Sequence, residues 1–158
     1  DGQTVDVALT VIGDGALRQE MEQKAKELNV YDQIHFLGKA DDKTMKASME
    51  QADVFVLPSI ERSESFGLVQ LEAMAYGIPV INTQLPSGVP EVSLHGQTGL
   101  TVQPADADAL ADAMEWMCSH PEERRQMGIA ARERVEECFT EERLVTRLLE
   151  VYTELLQE

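Results

Sequence analysis

"ADVFVLPSIERSESFGLVQLEAMAYGIPVINT", residues 52–83, decides the fold. It opens on the apolar, β-branched run "ADVFVLPS" (52–59), passes into a helical pattern in "GLVQLEAMAYG" (67–77), and returns to a second apolar run, "IPVINT" (78–83). Runs this short and apolar read as strands buried on both faces, and a helix between two of them is the crossover that a parallel pair requires. The pattern repeats outward. Upstream, "VDVALTVIG" (5–13) and "IHFLG" (34–38) flank "ALRQEMEQKAKELN" (16–29), and "DKTMKASMEQA" (42–52) leads back to the central stretch. Downstream, "TGLTVQP" (98–104) is a fifth strand, and "QLPSGVPEVSLHGQ" (84–97) reads as loop with one short helical turn. The expectation is an α/β domain with a mainly parallel sheet of about five strands and helices on both faces.

Beyond the fifth strand the chain turns helical. "DADALADAMEWMCSH" (106–120), "PEERRQMGIAARERVEECF" (121–139) and "TEERLVTRLLEVYTELLQE" (140–158) predict three helices. Pro121 suits a first helical position, Asp106 an N-cap, and Thr140 followed by two glutamates a capped acidic first turn. In the last helix Leu144, Leu148, Val151, Tyr152 and Leu155 form an apolar stripe that needs a surface to cover. Packing on the domain's own sheet is one such surface.

At 158 residues with 43% hydrophobic side chains, the chain fits one domain with one core. Thirteen basic against twenty-nine acidic residues give a net charge of -16, which opposes attraction to nucleic acid or to an anionic membrane surface. An anionic ligand needs local help. No apolar run approaches the roughly 20 residues of a membrane span, and "DGQTVDVALTVIG" lacks the flanks of a signal peptide, so the expected location is cytoplasmic. Cys118 and Cys138 lie without metal-ligand spacing and read as free thiols.

In an open parallel sheet, ligands bind beyond the carboxyl ends of the strands. The first such turn, "GDGALR" (13–18), carries two glycines but has Arg18 where a dinucleotide fingerprint has its third; a tight turn accounts for it, and glycines that let backbone N–H groups approach an anion are the other reading. The second is "SESFGL" (63–68), where N–H groups of Phe66, Gly67 and Leu68 at a helix start offer an anion site. Glu64 precedes that helix and Glu72 lies within it. Eight helical residues rise about 12 Å, more than the roughly 5–9.5 Å between paired carboxylates of a glycoside hydrolase. Two handles on one elongated ligand therefore fit better than a hydrolytic pair, while an exposed helical position remains an equal reading of Glu72. The "DAD" at 106–108 spells a metal-binding D-x-D, but its place at a helix start favours capping. His35, His95 and His120 have no nucleophile arranged around them.

"PSIERSESFGLVQLEAMAYGIPVINT", "LPSGVPEV" and "HGQTGLTVQP" together closely resemble the carboxyl-terminal domain of retaining family 4 glycosyltransferases, including their E-x7-E signature, here Glu64 to Glu72. The variant is most similar to bacterial enzymes that build lipopolysaccharide and other surface polysaccharides. The resemblance implies a Rossmann-like domain that is one half of a GT-B fold, with a UDP- or GDP-sugar as donor and no obligatory metal. It implies that Glu72 holds the ribose hydroxyls and that Glu64 holds hydroxyls of the transferred sugar near the reacting carbon. Ser65, Phe66, Gly67 and Leu68 would then meet the sugar and diphosphate. Gly13 with Gly15, and Gly38 with Lys39, would flank the phosphates and the base. The same resemblance places an acceptor domain, this domain's first strand and a diphosphate-binding Arg and Lys upstream of residue 1. Any membrane association would be peripheral and come through that domain, and the last helix would cross back to it. This chain alone would bind donor weakly and not turn it over; Lys39 or Arg62 would partly substitute for the upstream cations, and an exposed loop charge is the other reading of each. An epimerase-like enzyme of the same fold and a non-catalytic interaction module are the alternatives.

Overall fold

A computed structural model describes residues 7–156, so the first two residues of the strand expected from position 5 and the last two of the final helix lie outside the described residues. The chain divides into two units, 1–51 and 52–158. Among the described residues there are five strands, a parallel pair in the first unit and a parallel trio in the second. Apolar runs identify strands but do not encode which edge each strand pairs with, so the number and direction were legible and the grouping was not.

In the first unit, β1 (Leu9–Ile12) pairs with β2 (Ile34–Gly38), Leu9 opposite Ile34. Between them α1 (Arg18–Glu27) ends in a Schellman turn: Asn29 takes the left-handed conformation at φ 58, and Val30 N–H donates to the Ala25 carbonyl at 3.0 Å. A short 3-10 turn at Tyr31–Gln33, absent from the sequence expectation, leads into β2. Helix α2 (Asp42–Gln51) completes the unit. Thr44 N–H donates to the Asp41 carboxylate at 2.8 Å, and the Thr44 hydrogen bonds hold that carboxyl below its usual range.

In the second unit, β3 (Phe55–Leu57), β4 (Val80–Thr83) and β5 (Gly99–Val102) lie in that order, with Phe55 opposite Val80 and Val80 opposite Gly99. All four β4 residues are buried. Alternation along β4 sends Ile81 into a core with Ala113, Met117 and Met127, while Asn82 reaches Gln70 on the other face. Those side chains come from α5 (Ala107–Ser119), α6 (Pro121–Cys138) and α3 (Leu68–Ala75), so helices cover both faces as expected. Helix α3 ends in a second Schellman turn with Gly77 at φ 76 and Ile78 N–H on the Ala73 carbonyl at 3.1 Å. The expected short turn between β4 and β5 is α4 (Val89–Val92).

The caps follow the sequence. Asp106 accepts from Ala109 N–H at 2.9 Å, Pro121 opens α6, and Thr140 accepts from Arg143 N–H at 3.3 Å at the start of α7 (Glu141–Leu155). Helix α7 departs from one expectation: none of its residues is buried, and its stripe does not pack on the sheet. Amphipathic periodicity marks a face that can be buried; it does not say what buries it.

Candidate functional site

Loop 58–67, from the end of β3 to the start of α3, is tied down through its carbonyls. Thr83 Oγ1 donates to the Ser59 carbonyl at 2.6 Å, Glu64 N–H to Glu61 at 3.1 Å, Gly88 N–H to Ser65 at 2.8 Å, and Gln70 Nε2 to Phe66 at 2.8 Å. The chain then enters α3 through Gly67 in the left-handed conformation, φ 70 and ψ 60. A Cβ there would lie 2.6 Å from Leu57 Cδ2 and 2.9 Å from Gln70 Nε2, so both conformation and space demand glycine.

With the carbonyls engaged, the amide side of the turn is left over. No described residue accepts a hydrogen bond from the N–H of Phe66, Gly67, Leu68 or Val69. These donors sit at the positive end of α3, the arrangement that attracts an anion in a chain of net charge -16. Gly67 is buried, Phe66 half-buried, and Ser65 and Leu68 exposed.

Glu64 is half-buried and lines an open cleft of about 320 Å³ with Ser59, Ile60, Glu61 and Ser63. Glu72 is exposed one turn into α3. Among the described residues neither carboxylate has a side-chain hydrogen bond or an ion pair with a cation. A surface charge pair therefore does not account for them, and the apolar neighbours of Glu72 in sequence do not bury it.

In the first unit, Gly13 N–H donates to the Gly38 carbonyl at 2.9 Å, which brings the two glycine turns together. Arg18 spans them: its Nη2 donates to the Phe36 carbonyl at 3.1 Å and its Nε to Glu22 at 2.8 Å. The hydrogen bond to Glu22 raises the guanidinium pKa further. A Cβ at Gly38 would meet Arg18 Nη1 at 2.5 Å, so the arginine standing at the third-glycine position closes over the neighbouring turn. Gly15 and Lys39 are exposed, as is Arg62 in the second unit.

The competing motifs fall into structural roles. Asp106 is the α5 cap, and among the described residues no three His, Cys, Asp or Glu side chains gather closely enough to hold a metal ion. His95 Nδ1 accepts from Thr101 N–H at 3.0 Å, and His120 stacks on Trp116 with centroids 4.5 Å apart. Cys118 and Cys138 are free thiols, and no helix among the described residues is long and apolar enough to cross a membrane.

Sequence reasoning missed Gln70, Asn82 and Thr83. The signal was present: a polar side chain inside an apolar helix or a fully buried strand needs a partner, and those partners turn out to be the carbonyls of the site loop and of α4.

Residues 2–134 match the family described as glycosyl transferases group 1. The chain is 36% identical over 138 residues to D-rhamnosyltransferase WbpZ of Pseudomonas aeruginosa, covering 87% of this chain and 36% of that protein. It is 38% identical to N-acetyl-alpha-D-glucosaminyl L-malate synthase of Bacillus anthracis, covering 98% of this chain and 39% of that enzyme. The chain thus spans well under half the length of these relatives. Among solved structures it superposes on sucrose-phosphate synthase from Thermosynechococcus elongatus with a TM-score of 0.79 at 34% identity, covering 96% of this chain and 39% of that one. Anabaena HepE in complex with UDP shares the fold, with a TM-score of 0.80 at 23% identity over 96% of this chain and 41% of that one.

Proposed function

The chain belongs to the glycosyl transferases group 1 family, and we propose that it is the donor-binding part of an enzyme that moves a hexose from a UDP- or GDP-sugar to a saccharide or lipid-linked acceptor with retention of configuration. The observation that carries the reading is the stretch 64–72, where one half-buried carboxylate, a row of unengaged N–H groups and one exposed carboxylate follow each other along the chain. That order suits a nucleotide sugar. Glu64 accepts from hydroxyls of the transferred sugar, and the N–H groups of Phe66, Gly67 and Leu68, with Ser65 beside them, take oxygens of the diphosphate. Glu72 takes the ribose hydroxyls.

The chemistry asked of these residues is positional and electrostatic. Fixed N–H donors stabilise the charge that grows on the leaving diphosphate, and the carboxylates hold the sugar carbon where an acceptor hydroxyl reaches it. The reading needs no metal ion. The greater length of the relatives supports an acceptor domain outside this chain, contributed by the amino-terminal part of the whole enzyme. The kinds of product named for relatives, a D-rhamnosyltransferase and an O-antigen mannosyltransferase of Escherichia coli, support a role in bacterial surface-polysaccharide assembly.

Calorimetry with UDP and GDP tests the reading. One of the two is expected to bind, and Glu72→Ala to weaken it about 10- to 100-fold, the worth of hydrogen bonds to a charged acceptor. Equal binding by wild type and variant removes Glu72 from the ribose. Turnover by the 158-residue chain alone would overturn the division of labour.

A further inference from the structure

Gln70 and Asn82, on α3 and β4, are buried amides, 0% and 1% exposed. Gln70 Nε2 donates to the Phe66 carbonyl at 2.8 Å and to the Val89 carbonyl at 3.1 Å. Asn82 Nδ2 donates to Gln70 Oε1 at 3.1 Å and to the same Val89 carbonyl at 3.0 Å. Thr101 Oγ1 then donates to Asn82 Oδ1 at 2.8 Å. Each bond fixes the flip of the next amide: a hydroxyl donor on Oδ1 leaves Nδ2 to face Gln70 Oε1, which leaves Nε2 to face the two carbonyls. The relay runs from β5 to the turn at Phe66 with every donor and acceptor assigned.

We propose that Gln70, held by Asn82, is a positioning residue for the donor: its amide pins the Phe66 and Val89 carbonyls inward and so fixes the amide side of the Phe66–Leu68 turn toward the diphosphate. The inference deepens the donor-binding reading and rests on it. A core needing only volume would place leucine or methionine at position 70, between Val69 and Leu71, because an amide there requires every partner to be satisfied. The relay ends on helix α4 and on loop 58–67, which the Gly88 N–H to Ser65 carbonyl bond ties together beside the unengaged N–H groups. The neighbouring buried pair, Ser93 Oγ with Thr98 Oγ1 at 3.0 Å, is equally enclosed; Ser93 meets the relay only through its backbone carbonyl, 3.5 Å from Asn82 Nδ2, which Ser93→Ala keeps, so its hydroxyl serves as a control.

The test is a titration of the isotope-labelled chain with UDP and with GDP, read at the amide resonances of Phe66, Gly67 and Leu68, with urea unfolding of each variant alongside. Gln70→Met keeps the volume and removes the donors. It is expected to displace or broaden the Gly67 resonance in the free chain and to weaken the bound nucleotide at least about tenfold, as two abandoned carbonyls imply. Ser93→Ala is expected to lose stability and leave both readouts where they are. Should Gln70→Met not fold, Thr101→Val takes its place, freeing the Asn82 amide and weakening binding about threefold. Unchanged binding and an unchanged Gly67 resonance in the folded variant overturn the inference, and so does an equal loss in Ser93→Ala. Wild-type resonances at 66–68 that respond to neither nucleotide sink the donor-binding reading first and the positioning role with it.

Discussion

Single residues in this chain are legible where the chemistry demands one type. Gly67 is the clearest case: φ of 70 is open to glycine and costs other residues roughly 1–2 kcal/mol, and its Cβ position is already occupied by Leu57 and Gln70. Gly67→Ala is expected to lower stability by about 2 kcal/mol in urea unfolding and to abolish nucleotide binding with it, because relief of either conflict moves the turn. A variant as stable as wild type would show that the turn is not held in that conformation. Glu64 and Glu72 could be picked out by spacing, yet their settings could not: the sequence surrounds Glu72 with Leu71, Met74 and Ala75, and the structure leaves it exposed. Helix-face assignment fails in a helix of eight residues whose apolar residues are not confined to its buried face: Leu68 is exposed while Gln70, Ala73 and Met74 are buried. Gln70 and Asn82 escaped for a related reason, since a polar residue in an apolar run announces that it has a partner without saying which one.

At the scale of elements, the sequence carries most of its information in capping and period. Pro121, Asp106 and Thr140 each mark a helix start within a residue of where it falls, because the unpaired backbone groups there have few chemical remedies. Packing between helices is not announced in the same way. Gly128 lies inside the 18-residue α6, where glycine costs about 1 kcal/mol against alanine, so from sequence alone Gly128→Ala is a stabilising substitution. The structure reverses the sign. A Cβ at Gly128 would overlap the Gly77 carbonyl oxygen at the end of α3, and that oxygen belongs to backbone fixed by a Schellman turn. Forcing the two helices apart costs about 1–3 kcal/mol, which outweighs the gain in propensity. Chemical denaturation of Gly128→Ala is expected to show a net loss of about 1 kcal/mol, and a gain would mean that α3 and α6 are not in contact there.

For the molecule as a whole, burial decides what each part contributes to stability. The second unit concentrates its fully buried side chains around β4, α3, α4 and the middles of α5 and α6, with Met74, Ile81, Met117, Val89 and Val92 all below 2% exposed. Helix α7 contributes none: Leu144, Leu149, Tyr152 and Leu155 are each more than 60% exposed. An apolar face of that extent on a chain of charge -16 is held in water by surrounding carboxylates, and its removal exposes no core. Truncation after Thr140 keeps Phe139 packed edge-on against Phe66 and the Arg134 guanidinium over the Phe139 ring, 5.3 Å from its centroid. Arg134 also retains its hydrogen bonds to the Val92 and Glu91 carbonyls, at 2.9 and 2.7 Å, which tie α6 to α4. The shortened chain is therefore expected to unfold in urea within about 0.5 kcal/mol of the full one and to bind markedly less of a dye that reports exposed apolar surface. A loss of several kcal/mol would show that α7 is buried in solution, and the stripe would then belong to this chain's own core.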